Sequence, residues 1–116
     1  MAIQVCLLLG SNIAPEVHLP QAVALLAERF AVQRVSRAWE TPAVGSDGPN
    51  FINAAVLVDT PLDPLAIKNQ VLRPLEARLG RVRSADKNAP RTIDIDVVVW
   101  DGRPLDADLN RYAHIA

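Results

Sequence analysis

The order of the apolar patterns along this 116-residue chain constrains its fold more than any other feature. Two stretches, at about residues 16–29 and 63–79, repeat apolar residues at helical spacing. Four runs of aliphatic and β-branched residues are typical of strands: Ile3–Leu9, Val32–Trp39, Phe51–Val58 and Thr92–Trp100. The sequence therefore predicts an α+β sandwich of the ferredoxin-like split-βαβ (βαββαβ) type, with a mostly antiparallel four-stranded sheet and two helices on one face.

Prolines and glycines set the expected limits of the two helices. Pro20 is compatible with the first helix only if it lies in the first turn, where its missing N–H is not needed. The second helix is expected to begin at Asp63-Pro64 and to end at Gly80. Pro74 falls inside this helix, so we expect a kink near Glu76.

Length and composition limit the class of protein. With a formal net charge of −1 and 50% hydrophobic residues, the chain is expected to form a single domain over residues 1–116. Cys6 is the one cysteine, which excludes an internal disulfide and favours a reducing compartment. No apolar stretch approaches the roughly 20 residues that cross a bilayer, and the N-terminus lacks the pattern of a signal peptide. We therefore expect a cytoplasmic protein with no membrane partner.

The charges are unevenly distributed along the chain. Residues 78–91 contain five basic side chains and one acidic side chain, whereas the whole chain carries 12 basic and 13 acidic residues. Because the remainder is acidic, a general nucleic-acid-binding surface is not expected. The basic segment is either one focused anion site or a solvated, flexible loop, and composition alone does not decide between them.

Two carboxylates interrupt the last apolar run. Side chains alternate between the faces of a strand, so Asp94 and Asp96 share one face, while Ile93, Ile95, Val97 and Val99 are expected on the other. The two aspartate α-carbons would lie roughly 6.6–6.8 Å apart, close enough for both side chains to hold hard cations. The pair is either part of a metal-assisted phosphate site or an exposed pair bound to Arg81 or Arg91.

Arginines near this strand are candidate phosphate ligands. Arg81, Arg83 and Arg91 carry planar guanidinium groups that bind phosphate oxygens with two hydrogen bonds. The chain has no Walker-type Gly-x4-Gly-Lys-Ser/Thr loop. Any nucleotide would therefore have to be held in another way.

Asn53 is a polar amide within an apolar strand. A buried amide needs hydrogen-bond partners. It could bind the polar edge of a heterocycle, with Phe51 as a stacking surface on the same face, or it could cap the backbone of a neighbouring loop.

Five motifs, taken together and in order, resemble the 6-hydroxymethyl-7,8-dihydropterin pyrophosphokinase family. They are Leu8-Leu9-Gly10-Ser11-Asn12, Glu40-Thr41-Pro42 followed by Gly45, Asn50-Phe51-Ile52-Asn53-Ala54-Ala55, Glu76 with Leu79-Gly80-Arg81-Val82-Arg83, and Pro90-Arg91-Thr92-Ile93-Asp94-Ile95-Asp96. The resemblance spans about Val5 to Gly102. It implies a ferredoxin-like enzyme of folate biosynthesis that transfers pyrophosphate from ATP to the pterin hydroxymethyl group and releases AMP.

The resemblance also implies a role for each matching residue. Asp94 and Asp96 would hold two Mg²⁺ ions, and Arg81 and Arg91 would neutralise the transferring group. Glu76 and Arg83 would lie on the nucleotide side. The pterin pocket would be formed by four residues: Thr41, Pro42, Phe51 and Asn53.

This sequence departs from the family pattern in two places. Lys87-Asn88-Ala89 stands where the family usually carries a Trp-Gly pair. The tail, residues 103–116, lacks the family's Pro-His segment and is expected to be incomplete. The alternatives to the enzyme are a non-catalytic homologue that binds a pterin or a nucleotide, and a plain interaction domain.

Overall fold

The computed structural model describes residues 2–42, 49–81 and 92–105. These residues form one antiparallel sheet with the strand order β2-β4-β1-β5-β6, and β3 pairs with β4. The strands are β1 Ile3–Ser11, β2 Ala31–Val35, β3 Trp39–Thr41, β4 Phe51–Thr60, β5 Asp94–Trp100 and β6 Arg103–Pro104. The helices are α1 Pro15–Arg29, α2 Pro64–Ala66 and α3 Arg73–Arg78, with a π-helical segment, Ile67–Leu72, joining α2 to α3.

The predicted α+β class with an antiparallel sheet and two helical regions is confirmed. The described residues contain six strands rather than the four that were predicted. The additional strands are Trp39–Thr41 and Arg103–Pro104, of three and two residues. Elements this short have no sequence periodicity, so they could not be recognised before their pairing partners were known.

The hydrophobic core lies between one face of the sheet and both helical regions. Alternate residues of β1, such as Val5, Leu7 and Leu9, are fully buried in it. α1 contributes Leu19, Ala22 and Leu26, and the second helical region contributes four further side chains: Ile67, Val71, Leu72 and Leu75. Because one core contains residues from both helical regions, both cover the same face of the sheet and leave the other face without a helix.

A β-bulge changes which side chains of β5 face the core. β5 pairs with β1 through Leu7 and Val97, and then through Cys6 and Val99, so Val98 is an extra residue between the two pairs. The expected alternation therefore holds as far as Val97 and fails at Val99. Trp100, instead of Val99, packs against the core.

The two internal prolines are accommodated differently from the prediction. Pro20 lies inside α1, beyond the first turn, which is occupied by Pro15. Ahead of Pro74 the helix widens, and the backbone N–H of Arg73 donates to the carbonyl oxygen of Lys68, five residues earlier. The irregularity thus precedes Pro74, whereas the region of Glu76, where a kink was expected, is regular α-helix.

Candidate functional site

A row of paired residues, which includes an aspartate and an asparagine, crosses the face of the sheet opposite the helices. Gly10 of β1 pairs with Asp94 of β5 on one side and with Asn53 of β4 on the other, and Asn53 pairs with Trp39 of β3. Directly paired residues of antiparallel strands point to the same face. The register therefore brings residues from four strands, which are distant in sequence, into one line.

Gly10 provides open space in the middle of this row. A Cβ atom at this position would lie 3.0 Å from Oδ1 of Asn53 and 3.5 Å from Cδ1 of Phe51. A glycine inside a strand often marks a place where another group approaches the backbone closely. The missing side chain leaves a shallow gap between Asp94 and Asn53.

Asn53 is held rigidly beside this gap. Its side chain is buried, and its Nδ2 atom donates to Oγ1 of Thr41 at 2.9 Å and to the backbone oxygen of Trp39 at 3.4 Å. Both bonds direct the amide nitrogen towards β3. In the described parts of the chain no donor reaches Oδ1, so the amide caps neighbouring backbone and still offers an acceptor next to Gly10.

The end of α3 positions an arginine at the other side of the gap. Gly80 has a φ angle of +85°, its N–H donates to the carbonyl oxygen of Ala77, and the N–H of Arg81 donates to that of Glu76. These two bonds form a Schellman motif, for which glycine is favoured because it adopts positive φ without strain. The motif turns the chain back so that Arg81 lies over Glu76.

Arg81 joins two carboxylates. Its Nη1 atom lies 2.9 Å from Oε2 of Glu76 and 2.7 Å from Oδ1 of Asp94, and it also donates to the backbone oxygen of Ile93 at 3.3 Å. The Arg81 side chain is 9% exposed and that of Glu76 is 3% exposed. Charge-assisted bonds in such a covered position are strong, because solvent screens them little.

Glu76 also closes an edge of the sheet. Its Oε2 accepts a hydrogen bond at 2.9 Å from the backbone N–H of Ile95. β6 pairs with β5 at Val99 and Trp100, beyond this point. A carboxylate from α3 therefore takes the place of a neighbouring strand and ties the helix to the strand that carries the aspartates.

A groove of about 500 Å³ lies between the second helical region and β5. Asp94, Asp96, Lys68 and Arg73 supply its charged lining. Its apolar lining includes Leu65, Leu72, Val97 and Leu105. The volume is in the range of small-molecule sites, roughly 300–1,000 Å³.

The structure brings most of the predicted site residues to this end of the sheet. Asp94 and Asp96 share a face as predicted, and the alternative ion pair with Arg81 is found at Asp94. Thr41 and Phe51 are paired neighbours of the row, and Pro42 follows β3 directly. Arg83 and Arg91 lie outside the described residues, so their predicted contributions stay predictions.

Sequence reasoning missed three contributors to the site: Gly10, Lys68 and Arg73. The aliphatic run predicts a strand that ends at Leu9, but β1 continues through Gly10 to Ser11. A glycine after an unbroken aliphatic run could have indicated a close approach within a strand. Lys68 and Arg73 gave no signal, because their common orientation depends on the π-helical segment.

Two further findings limit the kind of site. Within residues 2–42, 49–81 and 92–105, no three His, Cys, Asp or Glu side chains come close enough together to hold a metal ion by themselves. Over the same ranges no helix has both the length and the apolar character needed to span a membrane.

These features define a class: an α+β protein whose open sheet face carries a carboxylate pair and a fixed amide, with a buried arginine after the end of a helix and a groove beside them. The family model for 7,8-dihydro-6-hydroxymethylpterin-pyrophosphokinase matches residues 6–114. The chain therefore belongs to this family.

Three curated relatives are all named 2-amino-4-hydroxy-6-hydroxymethyldihydropteridine pyrophosphokinase. The one from Methylorubrum extorquens is 42% identical, covering 81% of this chain and 61% of the relative. The one from Synechocystis is 35% identical, covering 84% and 51%, and the one from Pseudomonas aeruginosa is 33% identical, covering 91% and 67%. The chain thus spans about half to two thirds of the length of these relatives.

Proposed function

We propose that the protein transfers pyrophosphate from MgATP to 6-hydroxymethyl-7,8-dihydropterin and releases AMP, as a step of folate biosynthesis. The names of the relatives support this activity. The observation that carries it is the ion pair between Arg81 and Asp94, since Asp94 and Asp96 together line a groove with the volume of a small-molecule site. The proposal includes a ferredoxin-like arrangement, supported by the order β2-β4-β1-β5 of the four longest strands.

The donor set of the acidic pair fits magnesium. Mg²⁺ keeps several waters and is usually bound by one or two carboxylates together with substrate phosphates, so a cage of three protein ligands is not required. Asp94 and Asp96 would hold two such ions. When bound, the ions neutralise phosphate charge and polarise the phosphoryl oxygens.

Arg81 is proposed to stabilise the transferring group. Glu76 and the backbone oxygen of Ile93 fix its guanidinium, so its position does not depend on Asp94 alone. A preorganised cation of this kind needs no reorientation during the reaction. Because Glu76 is 2% exposed, we assign it the role of a positioning residue that acts through Arg81, in place of the predicted nucleotide contact.

The pterin is proposed to lie against the gap at Gly10. Asn53 would accept a hydrogen bond from the ring edge through Oδ1, and Phe51 would pack on the ring. Thr41 holds the amide of Asn53 in place, and Pro42 lies at the border of the pocket. This arrangement puts the pterin beside Asp94, and the nucleotide groove begins at the same residue.

The reaction then depends on positioning and charge compensation. The hydroxymethyl oxygen attacks the β-phosphorus in line and forms the new O–P bond. The bond between that phosphorus and the bridging oxygen to the α-phosphate breaks, and the electron pair leaves with AMP. The hydroxyl proton is released, and no covalent enzyme intermediate is required.

The proposed activity is tested by AMP release and by substitution of Asp96. The wild type should release AMP from ATP only when Mg²⁺ and the pterin are both present. Asp96→Asn should lower turnover by about a hundredfold or more, because one ligand of the phosphate-binding metal is lost, while pterin affinity changes less than about twofold.

Asp59→Asn is the matched control. Asp59 lies on the same sheet face but pairs with Gln4, at the opposite end of the strands. Its variant should keep full turnover. Background AMP release by the wild type with both substrates saturating would refute the enzyme and favour the non-catalytic binding homologue.

A further inference from the structure

The π-helical segment aligns two cationic side chains along the nucleotide groove. In a regular α-helix, residues five apart are rotated by about 140° from each other around the axis. The bond from the N–H of Arg73 to the carbonyl of Lys68 widens this turn, which reduces that rotation and brings the two residues towards one side of the helix. Both line the groove that contains Asp94 and Asp96.

Neither cation is neutralised by the parts of the chain that the structure describes. There the ion pairs are those of Arg81 with Glu76 and Asp94, and Lys68 and Arg73 take part in none. Lys68 is exposed and Arg73 is half-buried. The groove therefore has a carboxylate pair on the strand side and two available positive charges on the helix side.

We propose that Lys68 and Arg73 bind the part of the nucleotide that leaves as AMP, through its α-phosphate. The inference rests on the proposed function, since it assigns a second pair of ligands to that substrate. Asp94 and Asp96, with magnesium and Arg81, serve the phosphates that are transferred. The apolar lining near Leu65, Leu72 and Leu105 extends the groove for the nucleoside.

The chemistry of the reaction indicates which developing charge these cations would stabilise. When the bond to the β-phosphorus breaks, negative charge develops on the bridging oxygen, which becomes part of the AMP phosphate. Positive groups already in place beside this oxygen stabilise that charge. The carboxylates on the strand would otherwise repel it.

The test measures equilibrium binding, so it does not depend on turnover. The Lys68→Gln/Arg73→Gln double variant is compared with the wild type by calorimetry, with AMP, MgATP, magnesium pyrophosphate and the pterin as separate ligands. Both AMP and MgATP should bind at least about tenfold more weakly, because two charge-assisted contacts are lost. Pyrophosphate and pterin affinities should change less than about threefold, because pyrophosphate corresponds to the transferred phosphates and has no α-phosphate.

The Arg34→Gln/Arg37→Gln double variant is the control, since it removes the same charge from two exposed positions outside the groove. It should bind all four ligands as the wild type does. The proposal is overturned if AMP does not bind the wild type, if AMP affinity is unchanged in the groove variant, or if pyrophosphate binding falls as much as AMP binding. Loss of AMP affinity in a protein that makes no product would refute the enzyme and leave the nucleotide contacts standing.

Discussion

At the scale of single residues, Glu76 joins the arginine of the site to the strand that carries the aspartates. One of its oxygens accepts from Arg81 and from the backbone of Ile95, and both bonds are covered from solvent. Removing one partner of a buried charged pair costs more than the pair contributes, since the remaining charge is left without compensation. The stability of the fold and the placement of Arg81 thus depend on the same carboxylate.

Glu76→Gln should therefore lower the free energy of unfolding by about 2 kcal/mol, because Arg81 keeps Asp94 but loses its more deeply buried carboxylate partner. Urea denaturation monitored by circular dichroism measures this change. Glu28→Gln, at an exposed position of α1, is the control and should stay within about 0.5 kcal/mol of the wild type. Equal effects of the two substitutions would show that the Glu76 charge is not important for stability.

Gly10→Ala tests the gap on the sheet face. The added methyl group would meet Oδ1 of Asn53 at 3.0 Å, so the amide must move or the pterin must bind further from the sheet. We expect pterin affinity to fall by about tenfold, or roughly 1.4 kcal/mol, with MgATP affinity unchanged. Separate calorimetric titrations of the two ligands would check this, and an unchanged pterin affinity would contradict the assigned pocket.

Residue types alone predicted part of this site. The facing of Asp94 and Asp96 follows from strand alternation, which is a local property. The bonds from Asn53 to β3 and from Glu76 to Ile95 join residues 12 and 19 positions apart. Such contacts depend on the register between elements, and one sequence does not contain that information in a local pattern.

At the scale of elements, the end of α3 determines where the arginine lies. Gly80 at positive φ lets the chain reverse, and Arg81 is the next residue. Glycine at this position could be predicted as a helix end from the sequence. The π-helical segment before Pro74 could not, since a single proline is compatible with a kink, a break or a widened turn.

Gly80→Ala should strain this reversal, because an L-residue in the left-handed region costs about 1–2 kcal/mol. We expect a lower melting temperature and, because Arg81 is displaced, weaker binding of MgATP. Thermal denaturation and titration of the same sample separate the two effects. Gly102→Ala, which also has positive φ but nothing within 4 Å of its Cβ, should lower the melting temperature without changing MgATP affinity.

At the scale of the whole molecule, the sheet and the core were predictable, and the functional face was predictable only in part. Long apolar runs predicted β1, β4 and β5, and apolar residues at helical spacing predicted α1. Two features could not be predicted: the short strand β3, which orients Asn53, and the bulge at Val98. Neither leaves a periodic pattern in the sequence. The cytoplasmic location stays a prediction.

Binding of MgATP should stabilise the entire domain. A ligand that binds only the folded state adds about 2.7 kcal/mol at a hundred times its dissociation constant. For a domain of this size the melting temperature should rise by about 10 °C. Differential scanning calorimetry with MgATP checks the shift, and ATP with excess EDTA should remove most of it. Equal shifts with and without the metal would argue against the aspartate pair as its ligands.

The bond between the Ile95 amide and Glu76 has one more consequence. This amide proton is held by a side chain at the end of a helix instead of by an adjacent strand, so it becomes open to solvent whenever that helix end loosens. Fraying of α3 therefore exposes the Ile95 amide of the aspartate-bearing strand in the same event. A ligand that contacts both α3 and β5 would slow the fraying of the helix and the exchange of the Ile95 amide proton together.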